Sequence, residues 1–279
     1  MDDIFQSYLN NFSFVLLLFC VMFVAKWLYN ATTPYDTFYQ IIKQKNTALA
    51  TSVAGFMLGV VIIYSVILAG PSAGLISDLI LTGVYTLVGL LLLIVSRIIN
   101  DKLILHSFCN RQQLIEKQST AIGAVQAASY VASGLLIGAS LSGEGSWASA
   151  IVFYVLGQVC FVVCAKLYDT VTRYELLHEL EAGNSAVAIS FSATLVALAM
   201  VLVHALIGPF VSWSASIQLF LVDAFIGLVA LIVARQFIDK VLFPSICIDH
   251  AIGKERNHAV ALIEGTVALC VSLVIVLAL

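Results

Sequence analysis

The chain has 279 residues, of which 61% are hydrophobic and only 10% charged, and its mean hydropathy is +1.05. A soluble globular domain carries roughly 25% charged residues, so a soluble fold is excluded and the expected class is an all-α polytopic membrane protein. The net charge is only −3, and no basic patch with interleaved aromatics is present. Nucleic acid is therefore not an expected partner, and the lipid bilayer is.

The charged residues fall between apolar stretches of about 20 residues, the length that crosses ~30 Å of hydrocarbon. Met1-Asp2-Asp3 is acidic and lacks the basic region of a cleavable signal peptide. The first apolar run, Tyr8–Tyr29, is thus expected to remain as a span. A polar connector with Pro34 leads to Asn46 and a second span, Ala48–Ala69, which ends at Gly70-Pro71. The third and fourth spans are Leu75–Ile99 and Thr120–Leu141. Four more follow: Trp147–Tyr168, Ala186–Ile207, Ala215–Ile238 and His258–Leu279. Asn46 and Asn184 stand where N-caps are expected, just before the second and sixth spans.

The spans form two copies of one unit. Arg97-Ile98-Ile99-Asn100-Asp101-Lys102 is repeated 138 residues later as Arg235-Gln236-Phe237-Ile238-Asp239-Lys240. The same offset pairs Asn46 with Asn184, Gly70-Pro71 with Gly208-Pro209, Gly89 with Gly227, and Gln126 with Glu264. Two four-helix repeats, residues 1–140 and 141–279, are expected. Four spans per unit is an even number, so the copies run parallel, and a pseudo-two-fold axis along the membrane normal is expected to relate them.

All 13 Lys and Arg flank or occupy the odd-numbered connectors. Because Lys and Arg accumulate on the cytoplasmic side, the odd connectors are expected inside and both termini outside. Those connectors carry short amphipathic stretches, with Tyr35, Phe38 and Ile42 on one helical face. Tyr168-Asp169-Thr170, leading into Tyr174 to Leu180, reads as a repeat of Tyr35-Asp36-Thr37.

No hydrolase, kinase or phosphate-binding motif is visible, and Gly143-Glu144-Gly145 lacks the context of a phosphate cradle. His106-x2-Cys109 and Cys247-x2-His250 offer zinc-type ligands. However, Pro244 stands in the repeat where His106 would be, so free thiols and no metal or cofactor are expected, and no enzyme. Gly55-x3-Gly59 and Gly134-x3-Gly138 mark close helix contacts. Their counterparts are partly filled by Ala193, Ala197, Ser272 and Val276. Ionisable groups inside spans normally face the bundle interior. On that ground His204, Asp223 and Glu264 are expected to line one polar path in the second copy, with Gln126 in the place of Glu264 in the first. Asp223 is placed about 8 Å in depth from Glu264, by a rise of ~1.5 Å per residue across the core.

Tyr35-Asp36, Asn46-Thr47-Ala48, Gly70-Pro71, Arg97 to Lys102, and an acid or amide followed by a small residue in the fourth span together form a pattern. It resembles the YjfL-like bacterial inner-membrane proteins, a family of unknown function built from a four-helix unit that is sometimes duplicated. Glu264-Gly265 matches the family's last-helix acid, and Gln126-Ala127 departs from it. The resemblance implies a bacterial inner-membrane location and no reaction. Two functions stand ahead of the rest: a transporter or channel subunit for a proton, cation or small polar solute, and a non-transporting scaffold that presents its connectors. A homo-oligomer or a cytoplasmic protein is the partner each would take.

Overall fold

The computed structural model describes residues 2–143, 146–207, 210 and 212–278. Eleven α-helices appear among them, and no strand. Eight are long and apolar enough to cross a membrane. In the first copy these are α1 (Asp2–Ala31), α3 (Thr47–Leu68), α4 (Leu75–Leu103) and α5 (Thr120–Ser142). In the second they are α6 (Trp147–Val171), α8 (Ser185–Leu206), α9 (Trp213–Phe237, continued by a π-helical turn to Leu242) and α11 (His258–Ala278). Three short helices sit in the odd connectors: α2 (Thr37–Ile42), α7 (Leu176–Glu181) and α10 (Ile248–Gly253). Gly208-Pro209, expected to end the sixth span, Glu144-Gly145 and Leu279 lie outside the described residues.

The helices exceed the apolar runs mainly at the charged ends. α4 continues through Arg97 to Leu103, and α6 through Tyr168 to Val171. Nothing in those stretches breaks a helix, and long polar side chains there can reach the interface.

Four helices form the core, and each begins in the same way. A residue with positive φ (Lys45, Gln118, Gly183, Arg256) turns the chain, and the next residue (Asn46, Ser119, Asn184, Asn257) takes the N-cap position. Its side-chain oxygen accepts from free amides of the first turn, as at Asn46 Oδ1 from Leu49 N–H at 2.9 Å. The expected caps at Asn46 and Asn184 are both present.

The two core helices of each copy lie close because small residues face each other. A Cβ on Gly55 would sit 2.2 Å from Ala127 Cα, and one on Gly134 would sit 2.7 Å from Gly59 Cα. In the second copy the pair is exchanged: Ala193 faces Gly265, where a Cβ would meet it at 2.6 Å. One partner must be glycine, and either helix can supply it.

The core helices line up as α3, α5, α8, α11. α5 of the first copy packs on α8 of the second, whereas α3 and α11 stand at the ends of the row and do not pack on each other. A two-fold axis would require both contacts, so the expected pseudo-two-fold relation is not what the copies adopt. They are arranged head to tail. The reason is in the seam. Gln158 Nε2 donates to Asn100 Oδ1 at 2.7 Å, and Asn100 Nδ2 donates to Ser129 Oγ and Ser133 Oγ at 2.8 and 3.0 Å. At the 138-residue offset Asn100, Ser129 and Ser133 become Ile238, Val267 and Val271, so the second copy cannot repeat this joint.

The register of the first connector is also corrected. Asp36 caps α2 and Glu175 precedes α7, so Tyr35 corresponds to Tyr174, not Tyr168. Tyr168 takes the place of Tyr29. The extra residue of the first copy lies in Lys43-Gln44-Lys45, opposite Ala182-Gly183.

Candidate functional site

Each copy builds a polar hub where its spans meet the odd connectors. The invariant part is a tyrosine and a serine. In the first copy Tyr29 OH meets Ser52 Oγ at 3.3 Å, and Ser52 Oγ donates to Gln126 Oε1 at 2.8 Å. In the second Tyr168 OH meets Ser190 Oγ at 3.0 Å, and Ser190 Oγ donates to Glu264 Oε2 at 2.5 Å. The repeated arginine lies over the tyrosine ring in both, Arg97 at 4.4 Å from the Tyr29 centroid and Arg235 at 5.1 Å from that of Tyr168.

The hubs differ in charge. Gln126 carries no charge, and its Nε2 donates to Asp101 Oδ1 at 3.1 Å. Arg97 lies on the tyrosine ring, donates to Thr32 Oγ1 at 3.3 Å and interacts with the Asp101 carboxylate through charge, without a salt bridge to it. In the second copy Arg235 holds three partners: Tyr168 OH at 2.9 Å, Glu264 Oε1 at 2.7 Å and Asp249 Oδ1 at 2.5 Å. Asp249 comes from α10 and occupies the position of Arg111 in the first copy. One guanidinium therefore ties α6, α9, α11 and the last connector together. Glu264 is buried, and Arg235 is largely buried. Removing one member of such a buried pair leaves an uncompensated charge, at a cost of about 3–5 kcal/mol.

Lys102 and Lys240 are exposed, and Asp239 is half-buried at the π-helical turn without a polar partner among the described residues. The Arg-x3-Asp-Lys repeat thus marks the place of each hub, but all that its members share in both copies is the arginine's position over a tyrosine ring.

The cap residues anchor the connectors to the same end. Asn46 Nδ2 donates to Leu114 O at 2.7 Å, and Asn184 Nδ2 to Ile252 O and Gly253 O at 3.2 and 3.0 Å. Tyr174 is packed against Gly253, and burial raises its phenol above the usual tyrosine range. Across the seam, Gln113 Nε2 donates to Glu181 at 3.4 Å, with Lys117 Nζ at 3.6 Å from the same carboxylate.

The expected path of His204, Asp223 and Glu264 is not assembled. Glu264 sits at the level of Ser190 and Arg235. Asp223 is twelve residues from Arg235 along α9, roughly 18 Å, and His204 is fourteen from Ser190 along α8, roughly 21 Å. Asp223 and His204 are half-buried and have no polar partner among the described residues. The smaller depth expected earlier counted inward from span ends, whereas α9 and its π turn extend to Leu242. Gln126 belongs to the other hub.

Ser52, Ser190, Asp249 and Gln158 are not singled out by the sequence, and Tyr29, Tyr168 and Asn100 stand there only as span ends or repeat marks. The two serines share the 138-residue offset and could have been found by it. The tyrosines were hidden by the single-residue difference in the connector.

No curated protein sequence and no solved structure matches the chain. A family model does, twice, over residues 3–141 and 144–279. With a match to each copy, the chain belongs to the family described as Domain of Unknown Function (DUF350).

Proposed function

We propose that the chain is a non-transporting membrane scaffold of a bacterial inner membrane, YjfL-like in kind, that presents its odd connectors to a cytoplasmic protein partner. The observation that carries this reading is that the charged hubs of both copies lie at one end of the spans, whereas the buried polar groups farther along them are hydroxyls such as Thr86, Ser140 and Ser272. Both hubs and both asparagine anchors tie connectors to the same ends of the spans, while the next layer in the second copy is Ala197, Leu198, Leu228 and Ala268. A conducting path needs polar groups or water across the whole core, and buried polar groups without partners are expensive there. The one-sided distribution of Lys and Arg supports connectors inside and termini outside. Catalysis is not part of this reading.

A transporter or channel subunit is the competing reading, and one observation favours it: Arg235 and Glu264 border a cavity of about 180 Å³. Proteoliposomes separate the two. On the scaffold reading, imposed proton, sodium and potassium gradients decay no faster than in protein-free vesicles, for the parent chain and Glu264→Gln alike. Flux by the parent chain that Glu264→Gln abolishes would establish transport instead.

A further inference from the structure

The cavity beside Arg235 has a cause that can be read residue by residue. In the first copy, Tyr29, Phe56 and Tyr130 form a buried column of edge-to-face rings with centroids 4.9 and 5.8 Å apart. At the 138-residue offset Phe56 becomes Thr194 and Tyr130 becomes Ala268, and both line the cavity. The two missing rings leave the space. Phe191, stacked on Tyr168 at 5.7 Å, lies to one side and does not fill it.

A helix displacement opens that space sideways. α1 packs on α4 in the first copy, but its counterpart α6 is drawn across the seam onto α5 and α4. A gap is left between α6 and α9, and the cavity lies in it. Its rim is formed by Leu167 and Val171 on one side and Ile232 on the other, all exposed on the lipid-facing surface. The mouth therefore opens within the membrane plane.

The lining is apolar except at one end. Leu198, Leu228, Leu231 and Ala268 form the walls, and Tyr168, Arg235, Gln236 and Glu264 stand together at the connector end. Water would find too few polar partners along the walls to be held there. An empty hollow would forfeit the dispersion contacts of every wall atom. A bare anion has no claim on Arg235, which already holds two carboxylates. What matches is a hydrocarbon chain with its polar attachment at interface depth. We propose that this crevice binds one acyl chain of a membrane phospholipid, entering laterally between α6 and α9. The chain lies along Leu198, Leu228 and Leu231, and the ester region lies at the level of Gln236. The first copy has no such site, because its own aromatic rings occupy it. This site is independent of the scaffold reading, since a conducting or a non-conducting protein could hold it.

The test uses the full chain in nanodiscs of phosphatidylethanolamine and phosphatidylglycerol, doped with a phospholipid bearing a diazirine midway along one acyl chain. After irradiation, labelling is expected on Leu198, Leu228, Leu231 or Ala268, and not on Phe56 or Tyr130. Thr194→Phe with Ala268→Tyr, which restores the residues of the first copy, should abolish that labelling while leaving it on lipid-facing Phe225. Leu198→Phe provides a second, smaller blockade and should reduce it. Absence of interior labelling in the parent chain would overturn the proposal. So would undiminished interior labelling in a folded blocked variant.

Discussion

At the scale of the residue, Arg235 has the greatest consequence. It is surrounded by Glu264, Asp249 and the Tyr168 hydroxyl, so Arg235→Ala strands two carboxylates. A loss of about 3–5 kcal/mol is expected, read as a large drop in thermal midpoint in detergent. Glu264→Gln is expected to be milder, about 1.5–3 kcal/mol for one charged hydrogen bond, because Gln126 fills the equivalent place in the first hub. Equal losses from the two variants would show that the guanidinium is not the organising group. Tyr174 gives a pH dependence with a definite sign. Burial raises its folded pKa above that of the unfolded chain, so its contribution is fully present below pH ~10. It is lost as pH rises through the higher folded value. Tyr174→Phe should therefore remove part of the alkaline fall in stability, measured by thermal unfolding between neutral pH and pH ~11.

At the scale of the element, the decisive feature is the glycine–alanine exchange between α3·α5 and α8·α11. Gly55→Ala places a methyl group into the Ala127 backbone, and overpacking of this kind costs about 1–3 kcal/mol. Adding Ala127→Gly removes the Ala127 Cβ, which would lie 2.4 Å from the new methyl, but leaves its Cα at 2.2 Å, so only part of the loss is expected to return. Full recovery by the double variant would show instead that the backbones of α3 and α5 separate readily, against the close approach seen at Gly55. The sequence made this element scale readable. Asn46 and Asn184 were identifiable as caps from position alone, and the spans followed from apolar length. What it hid was registration and depth. One residue between Lys43 and Lys45 displaced the apparent partner of Tyr168, and helix continuation past the apolar runs put Asp223 farther from Glu264 than span counting allowed.

At the scale of the whole molecule, duplication left two units with one chain direction but different neighbours. Asn100, held by Ser129 and Ser133, meets Gln158 because α6 follows α5 directly, and the second copy has apolar residues at the places of those three. That asymmetry was present in the sequence, yet its meaning depended on knowing that α5 meets α8. The Asn100→Leu variant is expected to loosen the seam while sparing each helix pair. It would leave Gln158 unpaired at a cost of about 1–3 kcal/mol, visible as faster amide exchange in α6 than in α3.

Both hubs and all odd connectors are proposed to lie on the cytoplasmic side, since parallel copies put them at the same ends of the spans. Single cysteines at Ser72, Ser142, Ser212 and Ser119 of a cysteine-free chain, exposed in intact cells to a membrane-impermeant thiol reagent, test it directly. Labelling is expected at Ser72, Ser142 and Ser212, and none at Ser119 until the cells are opened. Labelling at Ser119 alone would reverse the orientation, and opposite results at Ser72 and Ser212 would contradict the parallel arrangement itself.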